Sequence, residues 1–90
     1  MIRVLVADDH PIVRSGIVAL LQTAEDIEVV GEATTGQEAV DLALAESPDV
    51  VLMDLRMPGM EGDEATARIL AARPQARVLI LTTYESDDSI

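Results

Sequence analysis

Short aliphatic runs alternate with amphipathic segments along the whole chain, and this alternation restricts the fold more than any other feature. Four runs are short and rich enough in β-branched residues to be buried strands, at residues 2–7, 27–33, 49–54 and 77–82. Between them, apolar residues recur at helical spacing, and the connections are only a few residues long. We therefore predict a parallel α/β sheet with helices on both faces.

Three helices are predicted between the strands, each with a recognisable start. The first covers residues 11–23, and the second follows a capping-box pattern made by Thr35 and Glu38. Asp63 is expected to cap the third helix, and residues 85–90 to begin a fourth. The inward-facing residues predicted for the first two helices are Val13, Ile17, Leu20, Leu21, Ala39, Val40, Ala43 and Leu44.

Polar residues end three of the predicted strands. A doubly wound sheet of this kind has the strand order 2-1-3-4, and its ligands bind outside the carboxyl ends of the strands where the order reverses. Asp8 and Asp9 follow the first strand, Asp54 ends the third strand and Thr82 ends the fourth. We expect these four side chains to lie at one edge of the sheet.

Three carboxylates at one edge repel one another, and a like-charge pair about 4 Å apart costs roughly 4 kcal/mol at an effective dielectric near 20. A hard dication such as Mg²⁺ would compensate this repulsion, and Asp54 could then attack an anionic phosphoryl donor. Taken singly, each residue has a simpler interpretation. Asp8 or Asp9 could favour the positive end of the first helix, and Asp54 or Thr82 could be an ordinary strand residue.

His10 adjoins the acidic pair, but no second His and no Cys accompany it. We therefore interpret it as a helix-cap or surface residue and not as a metal ligand.

The composition argues against several classes of function. The formal net charge is −11, so the chain repels nucleic-acid phosphates and anionic membranes, and we expect it to bind neither directly. Cysteine is absent, which excludes a disulfide scaffold and thiolate chemistry. No apolar run approaches the roughly 18 residues of a membrane span, so a cytoplasmic location is expected.

Three segments resemble the receiver domains of two-component response regulators, most closely the NarL/FixJ (LuxR-type) subfamily. They read VLVADDHPIVRSGI, PDVVLMDLRMPGMEG and VLILTTYESDDSI. The resemblance covers the whole chain and implies a flavodoxin-like (CheY-like) fold. It also implies that Asp54 accepts phosphate from the phosphohistidine of a sensor histidine kinase, and that Asp8 and Asp9 bind Mg²⁺. Such a module is not an enzyme, although it assists its own phosphorylation and dephosphorylation.

The resemblance assigns roles to three further residues. The backbone carbonyl of Arg56 would complete the metal ligands supplied by the three aspartates. Thr82 would contact the phosphoryl group and report its presence. Arg56 and Tyr84 fall at two variable positions that, in this family, tune the loss of phosphate by hydrolysis.

The carboxyl-terminal end departs from the family pattern. Residues 1–90 are expected to form an incomplete receiver domain, without the fifth strand, the last helix or the DNA-binding output domain of a transcriptional regulator. The family's phosphate-contacting lysine has no counterpart, because the chain contains no lysine. A non-signalling fragment that acts only in binding or dimerisation is therefore an alternative. We also expect self-association through the exposed edge of the strand at residues 77–82.

Two other classes fit these residues less well. A phosphatase of the haloacid dehalogenase type would need a second aspartate two residues after the nucleophile, where this chain has Arg56. A flavin-binding flavodoxin would carry an uncharged, hydroxyl-rich loop after the first strand. Asp8 and Asp9 would repel a cofactor phosphate at that position.

Overall fold

The computed structural model describes residues 1–81, which form one parallel sheet flanked by helices. The strands are β1 (Ile2–Ala7), β2 (Ile27–Ala33), β3 (Val50–Asp54) and β4 (Arg77–Leu81), and the helices are α1 (Pro11–Gln22), α2 (Gly36–Glu46) and α3 (Gly62–Ala72). The sheet order is β2-β1-β3-β4 with every neighbouring pair parallel, so the predicted order is confirmed. Within residues 1–81, no helix has the length and apolar character needed to cross a membrane. The fourth helix predicted at residues 85–90 lies outside the described residues.

The two faces of the sheet are covered by different helices. On one face, α2 and α3 pack against Leu5, Val51 and Met53 of the central strands through Ala39, Ala43, Ala65 and Ile69. On the other face, Val18 of α1 packs against Val4 and Val6 of β1. Burial of this aliphatic surface supplies the main driving force for folding, as expected for a chain whose one aromatic residue is a tyrosine.

The predicted inward-facing residues are correct in part. Ala39, Val40 and Ala43 of α2 are buried, and Ile17 and Leu21 of α1 are partly buried. The prediction is wrong at Val13, Leu20 and Leu44, which are exposed.

The orientation of α1 explains two of these errors. Its most buried residue is Val18, which the apolar pattern did not single out. At about 100° per residue, Leu20 lies about 200° around the helix axis from Val18 and so points away from the sheet. Val13 lies about 140° from Val18 in the other direction.

The caps of α2 and α3 differ in how well they could be predicted. Thr35 accepts a hydrogen bond from the Glu38 backbone N–H (3.1 Å), and the Glu38 carboxylate accepts one from the Thr34 N–H (2.8 Å), so the predicted cap is confirmed. The prediction that Asp63 caps α3 is wrong, because the N-cap is Glu61 and Asp63 lies within the first turn. The Gly62 N–H donates to the Leu55 carbonyl (2.9 Å), and α3 begins two residues earlier than a cap at Asp63 would imply.

Candidate functional site

Asp8 and Asp54 lie side by side at the carboxyl edge of the sheet because β1 and β3 are parallel neighbours. Ala7 is in register with Met53, and each aspartate follows directly along its own strand. The Asp8 N–H donates to the Ala33 carbonyl (3.0 Å), which continues the pairing of β1 with β2 by one residue. Both aspartate side chains are fully buried.

The structure brings Asp9 and His10 to the same place. The acidic cluster, as we call Asp8, Asp9, His10 and Asp54, has one potential ligand atom per residue, and these atoms all lie within 4.8 Å of one another. His10 Nδ1 lies 3.2 Å from Asp8 Oδ1 and 3.0 Å from Asp9 Oδ1. It lies 3.9 Å from Asp54 Oδ2. His10 does occupy the N-cap position of α1, as predicted, but its side chain makes no capping hydrogen bond.

Three carboxylate oxygens of the acidic cluster have no hydrogen-bond partner among residues 1–81. They are Asp8 Oδ2, Asp9 Oδ1 and Asp54 Oδ2, and each is inaccessible to solvent. The 3.0 Å approach of His10 Nδ1 to Asp9 Oδ1 is an ion-pair contact without hydrogen-bond geometry. A buried acceptor left unsatisfied costs about 1–3 kcal/mol, and a charged acceptor costs more. Oxygen donors of this kind are the preferred ligands of Mg²⁺, so the residues present fit a hard dication.

Burial is the main reason that the pKa of Asp54 is raised above its ordinary value, and the negative charges of Asp8 and Asp9 act in the same direction. Two contacts oppose this rise, namely the Arg56 N–H that donates to Asp54 Oδ1 (3.2 Å) and the nearby His10. The pKa of His10 is also raised, chiefly by its hydrogen bond with Asp8 and then by the charge of Asp9. Asp54 is therefore a carboxylate whose charged form lacks full compensation among residues 1–81.

The segment from Leu55 to Glu61 passes directly over the carboxyl edge, and two glycines permit its close approach. A Cβ at Gly62 would lie 2.2 Å from the Asp54 carbonyl oxygen. A Cβ at Gly36 would lie 2.1 Å from the Met60 carbonyl oxygen. Buried Met57 anchors the same segment in the core. The path of this segment fixes the backbone of Arg56, whose carbonyl is the predicted metal ligand.

Arg14 is a contact residue of the site that the sequence analysis missed. Its guanidinium donates to the Asp8 carbonyl (3.0 Å) and to the Glu32 carboxylate (3.1 Å). These bonds tie α1 to the end of β1 and to β2. The only sequence signal was its position one turn after His10, whose carbonyl accepts from the Arg14 N–H (2.9 Å).

Two residues named in the sequence analysis lie outside the described part of the chain. Thr82 directly follows β4, which ends at Leu81, and Tyr84 lies two residues further on. The roles assigned to them remain predictions.

Comparison with known proteins places this site in a family. The family model described as the response regulator receiver domain matches residues 4–90. The transcriptional regulatory protein LiaR of Bacillus subtilis is 50% identical over 90 residues, which are all of this chain but 43% of LiaR. The response regulator GacA of Pseudomonas aeruginosa is 47% identical over 87 residues, which are 97% of this chain and 41% of GacA. The chain thus spans less than half the length of these relatives.

A solved structure agrees with the sequence comparisons. The receiver domain of the response regulator NarL from Mycobacterium tuberculosis superposes with a TM-score of 0.83 and is 44% identical. The match covers 88% of this chain and 64% of that structure. The shared strand order confirms the predicted flavodoxin-like fold. This chain belongs to the receiver domain family of two-component response regulators.

Proposed function

We propose that this chain is a phosphoacceptor module that takes a phosphoryl group from a sensor histidine kinase onto Asp54. The observation that carries this proposal is the state of Asp54 Oδ2, a fully buried oxygen without a hydrogen-bond partner among residues 1–81. It lies beside a second buried carboxylate at the switch point of the sheet, where such folds bind ligands. Membership of the response regulator receiver family agrees with this role.

The proposed reaction is a direct transfer between two side chains. An Asp54 carboxylate oxygen forms the new bond to phosphorus, and the phosphorus–nitrogen bond of the kinase phosphohistidine breaks. The released imidazole keeps the bonding pair and takes a proton from solvent. The Arg56 N–H donates to Asp54 Oδ1 and holds that oxygen in place. Oδ2, which has no hydrogen-bond partner among residues 1–81, is then the oxygen that attacks phosphorus.

Asp8, Asp9 and Asp54 would hold Mg²⁺ through their carboxylates, with the Arg56 carbonyl as a further ligand. Bound Mg²⁺ would neutralise the acidic cluster and the charge of the transferring phosphoryl group. The roles of Thr82 in contacting the phosphoryl group, and of Arg56 and Tyr84 in tuning its hydrolysis, belong to the same proposal. So does the cytoplasmic location expected from the sequence.

Thermal unfolding with a phosphoryl analogue tests the acceptor site. Millimolar Mg²⁺ together with beryllofluoride should raise the unfolding midpoint of the wild type, because a ligand that binds only the folded state stabilises it. Asp54→Asn should show no such shift. Asp26→Asn serves as the control, since Asp26 is exposed at the opposite edge of the sheet and its substitution removes the same charge. An unchanged midpoint in the folded wild type would contradict the proposal.

A second candidate is an interaction module that associates through β4. Within residues 1–81 this strand pairs only with β3, and its Leu79 and Ile80 side chains are 56% and 43% exposed. An apolar strand edge of this kind favours pairing with another chain. Light scattering should show concentration-dependent dimers that Leu79→Lys disrupts and that Leu44→Lys, on the exposed side of α2, does not. A monomer at all concentrations would rule out this association.

A further inference from the structure

His10 is the member of the acidic cluster to which the proposed function gives no role. It is the only histidine in the chain. Its side chain is 55% exposed and makes no hydrogen bond to the first turn of α1, although it stands at the N-cap. The imidazole instead turns back over the carboxylates, with a path to solvent on its other side.

The distances from His10 Nδ1 suit a ligand of an ion held in the cluster. Two ligands of one ion with bonds of about 2.1 Å lie at most about 4.2 Å apart, and ligands at right angles lie about 3.0 Å apart. Nδ1 lies 3.0 Å from Asp9 Oδ1, 3.2 Å from Asp8 Oδ1 and 3.9 Å from Asp54 Oδ2. All three distances fall within the limit for shared coordination.

The carboxylates supply an independent reason to expect an ion. Asp8 Oδ2 and Asp54 Oδ2 belong to fully buried side chains and have no hydrogen-bond partner among the described residues. Both oxygens are inaccessible to solvent at the carboxyl ends of β1 and β3. An ion that binds them approaches from the exposed side of the cluster, where His10 lies.

The donor set therefore combines oxygen atoms with one imidazole nitrogen. Mg²⁺ selects oxygen ligands and water, whereas imidazole suits the later first-row transition metals, whose affinity for nitrogen sites rises from manganese to copper and is lower again for zinc. We propose that the acidic cluster also takes a late first-row transition metal ion, such as Co²⁺ or Zn²⁺, with His10 Nδ1 as a protein ligand. This inference rests on the proposed function, which places a dication among the same aspartates.

One consequence is that the two kinds of ion exclude each other. Both need the oxygens of Asp9 and Asp54, so Zn²⁺ or Co²⁺ bound through His10 competes directly with Mg²⁺. His10 thus sets the metal selectivity of the cluster, and its removal narrows the choice to ions bound by oxygen alone.

Calorimetric titration of the full chain with Zn²⁺, Co²⁺ and Mg²⁺ tests the inference. His10→Asn keeps a side chain suited to the N-cap but removes the imidazole. It should weaken Zn²⁺ and Co²⁺ binding by about tenfold or more, a scale on which even the outer partners of a metal site act. Its Mg²⁺ affinity should stay within about twofold of the wild type. Asp26→Asn, at the opposite edge, should leave all three affinities unchanged, and circular dichroism should show that each variant is folded.

Nuclear magnetic resonance of the single imidazole gives a second readout on the unaltered chain. Zn²⁺ should shift the Nδ1 resonance in a saturable way, and Mg²⁺ should not produce this coordination shift. Equal Zn²⁺ affinity in the wild type and His10→Asn, with no Nδ1 shift, would overturn the inference. If Mg²⁺ still bound, that result would leave the proposed function unaffected. Failure of the wild type to bind any of the three ions would overturn both.

Discussion

Aspartates lie at both edges of the sheet, and the structure treats them in opposite ways. At the amino edge, the Asp49 carboxylate accepts a hydrogen bond from the Arg3 N–H (2.9 Å). The Arg3 guanidinium donates to the Glu46 carbonyl (2.5 Å) and lies 3.4 Å from the Glu46 carboxylate. At the carboxyl edge, Asp8 and Asp54 are fully buried, and each keeps one oxygen without a partner among residues 1–81.

The aspartate at the amino edge therefore stabilises the fold, whereas the buried charges at the carboxyl edge lower its stability. Asp49 also joins strands through its backbone, since its N–H donates to the Arg3 carbonyl (2.8 Å) and its carbonyl accepts from the Arg77 N–H (3.2 Å). Asp54 Oδ1 accepts one bond from the Arg56 N–H, but among residues 1–81 the buried Asp54 Oδ2 has no hydrogen-bond partner. Buried polar groups are normally satisfied, and exceptions concentrate at functional sites. The carboxyl edge is therefore the part of residues 1–81 where we expect a ligand to complete the interactions.

The largest expected effect on stability comes from placing a side chain at Gly62, where the backbone packs closely against Asp54. In Gly62→Ala, the new Cβ would meet the Asp54 carbonyl oxygen at 2.2 Å, and backbone atoms cannot yield as a flexible side chain does. Overpacking of this kind lowers the free energy of unfolding by about 3 kcal/mol or more. Gly16→Ala in α1 is the control, because nothing lies within 4 Å of its Cβ. Chemical denaturation should show Gly16→Ala to be more stable than the wild type by about 1 kcal/mol.

Equal stability of Gly62→Ala and Gly16→Ala would contradict the close packing of this segment on the carboxyl edge.

The next largest effect is on the free energy of unfolding without metal, when an aspartate at either edge is replaced by asparagine. Asp54→Asn removes a buried, repelled charge and should raise the free energy of unfolding by on the order of 1 kcal/mol, the lower end of the cost of an unsatisfied buried acceptor. Asp49→Asn weakens the bond from the Arg3 N–H and should lower the free energy of unfolding by up to about 1 kcal/mol. Urea denaturation with a chelator present measures both. Changes of the same sign in the two free energies of unfolding would contradict the proposed difference between the edges.

The smallest expected effect is the pH dependence of the difference in stability between Asp54→Asn and the wild type. Because the pKa of Asp54 is raised in the folded protein, the folded state binds more protons than the unfolded state at pH values between its two pKa values. The contribution of Asp54 to the stability of the metal-free wild type therefore falls as the pH rises above about 4, the ordinary pKa of an aspartate. Asp54→Asn lacks this loss, so its advantage should grow across the same window. An advantage that is constant with pH would show that Asp54 is ionised alike in both states.

The sheet and the meeting of the aspartates were predictable because both follow from the order of the strands. The carboxyl ends of parallel neighbours share one edge, so residues written after β1 and at the end of β3 must approach each other. Spacing along the chain was enough to place Asp8 and Asp54. Their complete burial also agrees with the aliphatic character of the two strands.

The contribution of His10 and the orientation of α1 could not be predicted in the same way. A lone histidine beside an acidic pair carries no spacing signal, and only the rotation of its side chain brings Nδ1 within 3.2 Å of two carboxylates. The apolar residues of α1 surround much of its axis, so periodicity alone did not select Val18 over Leu20. The start of α3 at Gly62 depends on a bond to the Leu55 carbonyl, which no local pattern encodes.

Phosphorylation of the chain by a small-molecule donor tests the central claim most directly. The wild type, Asp54→Asn and Asp49→Asn would be incubated with acetyl phosphate and Mg²⁺ and examined by intact-protein mass spectrometry. We predict that the wild type and Asp49→Asn each gain one phosphoryl group and that Asp54→Asn gains none. No gain by the folded wild type, or an equal gain by Asp54→Asn, would contradict the assignment of Asp54 as the phosphoacceptor.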